Sequence, residues 1–258
     1  MNVFNDWIHR PEDFIDEFKN ASPFPLLVID DFLDTATAEA LLAEFPAVDA
    51  MPKSRDYMFG DKRELSSVAE QGPTSRAFYD ALLGPEFQQF IVRLTGRPLF
   101  VDPAFHGGGF HQSSDGGFLD THVDFNMHPL HPNWLRVLNI LLYLNKDWKP
   151  EYDGRLLVKS SPDAEPRGIE PLFNRGLLML TDDHTYHGFR KMSLPQGVTR
   201  KSIATYAYEE VPVGSIESRT TGWAPEEGSA VKKSIAKHYN ALVRVKTNIL
   251  GSRTAKNR

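Results

Sequence analysis

Residues 136–160, RVLNILLYLNKDWKPEYDGRLLVKS, decide the fold. An apolar run rich in Leu, Val and Ile passes into a polar segment with Asn, Pro and Asp-Gly, and a second apolar run follows, which is a strand, turn and strand pattern. Working outward, runs of this kind recur from about Pro98 to Glu210, among them LFVDPAF, GFLDTHVDF, GLLMLT and KSIATYAYEE, each bounded by Gly, Pro, Asn or Asp. Many short strands with no helices between them imply a sandwich, a barrel or a jelly roll.

On either side the pattern changes. Residues 1–97 carry helical signals in PEDFIDEFKNA, in TATAEALLAEF with Asp34 as its N-cap, and in TSRAFYDALL and PEFQQFIVRLTG, each of the last two closed by a Gly. A short apolar run, PLLVID, interrupts them, and residues 50–72 read as loop. At the other end AVKKSIAKHYNALVRVKTNIL places Ile235, Tyr239, Leu242 and Ile249 near a 3.6-residue period, so an amphipathic helix ending before Gly251 is expected. The expected division is therefore 1–97 as a helical support of the same domain, 98–212 as the β core, and 213–258 as a basic helix and tail.

Composition narrows the chemistry. The 258 residues contain no cysteine, which excludes disulfides, iron–sulfur clusters, zinc-thiolate sites and a cysteine nucleophile, so any metal must be held by His, Asp or Glu. Net charge is −5, yet the stretch from Ser229 onward has Lys and Arg and no acid; it reads as a solvated cover for the core. The amino terminus has acidic residues and no apolar signal region, and no run of about 18 apolar residues occurs. A cytoplasmic protein with no membrane or nucleic-acid partner is the expectation.

The stretch LDTHVDFNMHPLH, residues 119–131, crowds histidines and carboxylates together. His122 and Asp124 are two residues apart, so on a strand both point to one face and can converge on one ion. Such a pair also arises by chance in a chain of this length. The later segment LTDDHTYHGF adds His184 and His187, and two histidines with one carboxylate form the facial set that leaves three positions of an octahedral Fe(II) open. In TRKSIATYAY, Arg200 and Ser202 share a strand face, and a buried Arg near such a site is a planar fork for a carboxylate.

Taken together, HVD at 122–124, YLNKDW at 143–148 followed by DGRLLV, HTYHG at 184–188 and RKS at 200–202 resemble the Fe(II)- and 2-oxoglutarate-dependent oxygenases, in particular their prolyl-hydroxylase-like branch. The resemblance spans roughly residues 98–210. It implies a mainly β chain with flanking helices, built on a double-stranded β-helix (a jelly roll of the cupin-like kind). It also implies Fe(II), 2-oxoglutarate and dioxygen as reactants. His122, Asp124 and His187 would ligate the iron and Arg200 would bind the distal carboxylate of 2-oxoglutarate. Tyr143 occupies the slot from which relatives reach that same carboxylate, and Ser202 shares the face of Arg200. By two-residue alternation Asn139 and Leu141 lie on the face of Tyr143 and would line the cosubstrate pocket. Gln112 falls near a position that contacts cosubstrate or substrate in relatives, and Arg136 near one that contacts substrate.

The implied reaction is hydroxylation of an unactivated C–H bond in a small-molecule or amino-acid or prolyl substrate, with release of succinate and CO2. The other reading is a non-oxidative cupin-like metal-binding module, which would have no use for Arg200, Ser202 and Tyr143 together. His184 takes a neighbouring or exposed role in the first reading, and His128 and His131, each followed by Pro, take loop roles. The glycines at 107–109 are expected to form a flexible loop over the mouth of the site. Asp153-Gly154 departs from the Gly-Gly usual in relatives, which leaves the substrate open.

Overall fold

The run Trp134–Tyr143 is buried on both faces along most of its length, so it needs a covering layer on each side. The computed structural model describes residues 3–53, 58–226 and 228–238. In chain order they form α1 (Ile15–Asn20), β1 (Leu26–Ile29), α2 (Thr35–Ala43), β2 (Arg63–Leu65), α3 (Pro73–Leu83) and α4 (Pro85–Thr95). These are followed by β3 (Phe100–Val101), β4 (Gly109–Ser113), β5 (Leu119–Val123), β6 (Trp134–Tyr143), β7 (Leu156–Lys159) and β8 (Arg167–Ile169). The series closes with β9 (Arg175–Leu180), β10 (Tyr186–Phe189), β11 (Arg200–Glu210) and β12 (Gly222–Trp223).

The strands make two antiparallel sheets that face each other as a jelly roll. The larger runs β1-β9-β6-β11-β4-β2, with β3 paired to β11, and the smaller runs β12-β5-β10-β7-β8. One face of the larger sheet, carrying Leu138, Ile140, Leu142, Leu178 and Ile203, packs under the helices through Phe78, Leu82, Phe87, Phe90, Ile91 and Leu94. Between the sheets Phe24, Leu26, Leu156, Val158, Ile169, Leu177 and Met179 form a second apolar core. Leu141 packs against this core, and the space beside it holds the site.

Local signals explain the helices. Asp34 caps α2, its side chain accepting from the Thr37 amide, and Gly96 ends α4 in the left-handed region at φ 70°. The support region is less purely helical than its sequence suggests: β1 and β2 form the two edges of the larger sheet. Their partners lie far along the chain, at β9 and β4, and short segments carry no local trace of such pairing.

One expectation is corrected. Gly109 is the first residue of β4, not part of a loop over the site; it sits at φ 104°, and a Cβ there would lie 2.2 Å from the Leu65 oxygen. A Cβ on Gly108 would lie 2.4 Å from the Ala204 oxygen, so these glycines let three backbones approach one another. At the carboxyl end residues 230–238 are helical, and Ala236 packs against Phe59 and Trp223. The remainder of the expected helix, to Ile249, and the basic tail lie outside the described residues.

Candidate active site

Antiparallel pairing of β5 with β10 sets His122 directly opposite His187, with ring centroids 4.3 Å apart. Asp124, one residue past the end of β5, completes the group: its Oδ1 is 3.6 Å from His122 Nε2 and its Oδ2 is 3.3 Å from His187 Nε2. All three side chains are buried, and one donor atom from each lies within 4.8 Å of the others. Both rings are held in the same way. His122 Nδ1 is 2.9 Å from the Asp120 oxygen and His187 Nδ1 is 3.2 Å from the Thr185 oxygen. A carbonyl only accepts, so each Nδ1 carries the proton and each Nε2 turns a lone pair to the shared centre. Burial, followed by the neighbouring His187, holds the His122 imidazole below its ordinary pKa, which favours the neutral ligand form. Burial alone would raise the Asp124 carboxyl, but the Arg136 guanidinium and both imidazoles keep it well below the usual range. Two neutral imidazoles and a carboxylate suit Fe(II), so these residues fit the metal that the motif implies.

The wall facing this group belongs to the larger sheet. Alternation on β11 presents Arg200, Ser202, Ala204 and Tyr206 to the cavity, and the β6 residues opposite them present Asn139 and Leu141. Arg200 is 5% exposed. Its Nε donates to the Gly154 oxygen at 2.8 Å, and its guanidinium carbon lies 4.3 Å from the Phe189 ring centre and 5.0 Å from that of Tyr143. No acidic side chain among the described residues pairs with it, and burial pulls its pKa down. Tyr143 stands opposite Ser202, and its hydroxyl is buried with no hydrogen-bond partner among the described residues. A buried guanidinium with no acidic partner among the described residues, beside a buried phenol, forms a receptor for an anion that carries several acceptors.

Gln112 is not part of this wall. On β4 it pairs with Lys201, so its side chain points to the other face, where its Nε2 donates to Thr199 Oγ1 at 2.7 Å. His111 and Ser113 take the pocket face instead. The expectation at Gln112 is therefore corrected by one residue, because the parity of β4 depends on where it begins among the glycines. His111 Nε2 has no hydrogen-bond partner among the described residues, and desolvation together with the Lys62 cation pushes its pKa down to about 3, so the ring is neutral.

Arg136 lines the cavity and is 2% exposed. Its Nη2 donates to Asp124 Oδ2 at 2.8 Å and its Nε to Asn139 Oδ1 at 2.9 Å; Nη1 has no partner among the described residues. His184 is exposed. His128 is buried in the turn before β6, where its Nδ1 accepts from the Leu130 and His131 amides.

Sequence reading passed over two neighbours of the triad. Arg219 Nη1 donates to the Asp124 backbone oxygen while its Nε donates to Asp183, which ties the segment after β11 across the ends of β5 and β9. Trp223 pairs with His122 across β12 and β5, its ring 4.8 Å from the imidazole and stacked on Phe59 at 4.7 Å. A two-residue strand carries no periodicity by which it could have been found.

Comparison with known proteins agrees with this geometry. Residues 108–208, which contain every triad and pocket residue named above apart from Lys62, match the model of the 2OG-Fe(II) oxygenase superfamily. No curated protein sequence matches the chain. Among solved structures the chain is similar to a prolyl hydroxylase from Trichoplax adhaerens, in complex with a hypoxia inducible factor oxygen degradation domain peptide fragment. That match has TM-score 0.56 and 16% identity over 78% of this chain and 90% of the other. A Pseudomonas putida prolyl-4-hydroxylase gives TM-score 0.55 and 16% identity over 78% of this chain and 99% of the other. A prolyl 4-hydroxylase from Phytophthora capsici gives 0.52 and 18% over 78% of this chain and 62% of the other. At these identities the structural likeness establishes the fold.

Proposed function

We propose that this chain, whose residues 108–208 match the 2OG-Fe(II) oxygenase model, is a dioxygenase that hydroxylates an unactivated C–H bond of an amino-acid, prolyl or other small-molecule substrate and releases succinate and CO2. The observation that carries this reading is Arg200: a buried guanidinium with no acidic partner among the described residues, on the wall facing a two-histidine, one-carboxylate group. A non-oxidative metal-binding module gains nothing from a cation kept dry at such cost.

In this reading His122, Asp124 and His187 hold Fe(II), and Arg200 takes the distal carboxylate of 2-oxoglutarate through its two Nη atoms, with the Tyr143 hydroxyl as a further donor. Ser202 and Asn139 supply polar edges, and Leu141, Leu156 and Phe189 exclude water from the cosubstrate. Bound there, Fe(II) supplies oxidation of the substrate by dioxygen, coupled to decarboxylation of 2-oxoglutarate. The protein favours the neutral form of His122, keeps Asp124 ionised, and orients the cosubstrate by the fork of Arg200. The Nη1 atom of Arg136 is the donor left over for a substrate contact. Since the similar structures are prolyl hydroxylases, prolyl peptides and free proline are the first substrates to test, and the remaining amino acids follow. No helix among the described residues is long and apolar enough to cross a membrane.

The test is succinate formation from 2-oxoglutarate by the Fe(II)-loaded protein across that panel, with mass spectrometry for a product one oxygen atom heavier. Expected is Fe(II)-dependent succinate, matched by hydroxylated product for one member of the panel. Metal binding without any succinate across the panel would favour the non-oxidative metal-binding module.

A further inference from the structure

Asp124 is the weak point of the candidate metal site. It lies beyond the end of β5, where no strand pairing holds it, and a carboxylate can turn either oxygen, or both, to a metal. We propose that Arg136, Asn139 and Thr181 form a clamp that fixes this carboxylate by its Oδ2 and leaves Oδ1 for the ion; this rests on the iron reading above.

Oδ2 accepts from Arg136 Nη2 and from Asn139 Nδ2, each at 2.8 Å. Oδ2 also lies 3.3 Å from His187 Nε2, but Oδ1, which faces His122 Nε2 at 3.6 Å, accepts from neither Arg136 nor Asn139. The Asn139 amide cannot turn over, because its Oδ1 accepts from Arg136 Nε at 2.9 Å and from Thr181 Oγ1 at 3.0 Å, which leaves only its NH2 for Asp124. Arg136 is held between two rings, its guanidinium carbon 3.3 Å from the centre of Tyr206 and 4.6 Å from that of Phe125. Tyr206 is itself anchored by its hydroxyl, which donates to the Gly107 oxygen at 2.7 Å.

The backbone is shaped for the clamp. Residues 136 and 139 are an odd number apart, so on a regular strand their side chains would point to opposite faces. The pairing of β6 with β11 passes from Leu138 opposite Ala207 to Arg136 opposite Tyr208, so Val137 has no partner on β11. This bulge brings Arg136 to the face of Asn139, while on the β9 side the ladder runs on undisturbed, the Val137 oxygen accepting from the Thr181 amide at 2.8 Å. A bulge that re-aims one arginine onto one carboxylate is costly unless the contact matters, and here Arg136 is a positioning residue that acts through Asp124.

Outer partners of this kind change metal affinity by about 10–100-fold when removed. A guanidinium also repels a dication, so the sign of the effect decides between orientation and charge. The experiment titrates Co(II), an air-stable probe for the Fe(II) site, into the full chain and reads affinity and the visible Co(II) spectrum, with thermal melting to show that each variant is folded. Arg136→Met and Asn139→Leu are expected to weaken Co(II) binding about 10–100-fold and to alter the spectrum. Arg136→Lys should recover part of the affinity by restoring one charged donor. Thr181→Val, which leaves the ion pair in place, should give a several-fold loss and serves if Arg136→Met does not fold. Unchanged or tighter Co(II) binding in folded Arg136→Met, or no recovery in Arg136→Lys, overturns the clamp. Failure of the unaltered protein to bind Co(II) at all would instead overturn the iron reading on which it stands.

Discussion

Replacing Arg200 tests the cosubstrate pocket from two directions at once. Its Nε is already committed to the Gly154 oxygen, so the two Nη atoms are what it offers a carboxylate. Two charge-assisted hydrogen bonds at roughly 1.5 kcal/mol each, the low end for charged groups, give about 3 kcal/mol. That corresponds to roughly a hundredfold in the dissociation constant of 2-oxoglutarate. The convenient assay is thermal stabilisation by the ligand. At a concentration about 100 times the dissociation constant, a ligand stabilises the native state by about 2.7 kcal/mol. For a chain of this size that is a rise in Tm of about 5–10 °C. Arg200→Met at the same concentration should retain a shift of about 1 °C. Without ligand the variant should melt no lower than the parent, because the substitution removes a buried cation that has no acidic partner among the described residues. Arg200→Lys should fall between the two, since an ammonium restores the charge without the fork. A variant that melts far below the parent on its own, yet shows the full shift with 2-oxoglutarate, would make Arg200 a structural residue and refute the reasoning.

Other outcomes follow from the same geometry. Alanine at His122, Asp124 or His187 should abolish turnover and bound Fe(II), whereas His184→Ala should keep at least part of both; iron analysis beside succinate assays reads this. Tyr143→Phe removes one neutral hydrogen bond and should weaken 2-oxoglutarate by about 1 kcal/mol, roughly fivefold, as titration calorimetry would show. His111 has a native pKa of about 3 against 6.5 in the unfolded chain, so its stabilising contribution is whole above pH 6.5 and is lost as pH falls toward 3. Denaturant melts of metal-free His111→Gln should therefore show a shallower decline over that window than the parent. Gly109→Ala combines a left-handed backbone with a Cβ 2.2 Å from the Leu65 oxygen, and should lower stability by at least about 1–3 kcal/mol.

Where local periodicity holds, the sequence was enough to place side chains. Between Asn139 and Tyr143, β6 is regular, and two-residue alternation puts Asn139 and Leu141 on the pocket face, as it does Arg200 and Ser202 on β11. It fails where the strand is irregular. Arg136 reaches the pocket only through the bulge at Val137, and Gln112 turns away because β4 starts at a glycine whose strand state depends on packing against Leu65 and Ala204. Nor could the chain alone reveal the register that sets His187 opposite His122, the two edge strands β1 and β2, or the contacts of Arg219 and Trp223 with the triad. All of these are pairings between distant segments, and such pairings are written in the packing of the whole core.

The most direct test of the account is oxygen-dependent formation of succinate from 2-oxoglutarate by the Fe(II)-loaded protein, measured side by side with Asp124→Ala and with prolyl peptides and amino acids supplied as substrates. The account predicts succinate from the parent, none without Fe(II) or oxygen, and none from Asp124→Ala. Succinate formed equally well by Asp124→Ala, or none from the iron-loaded parent with any of these substrates, would contradict it.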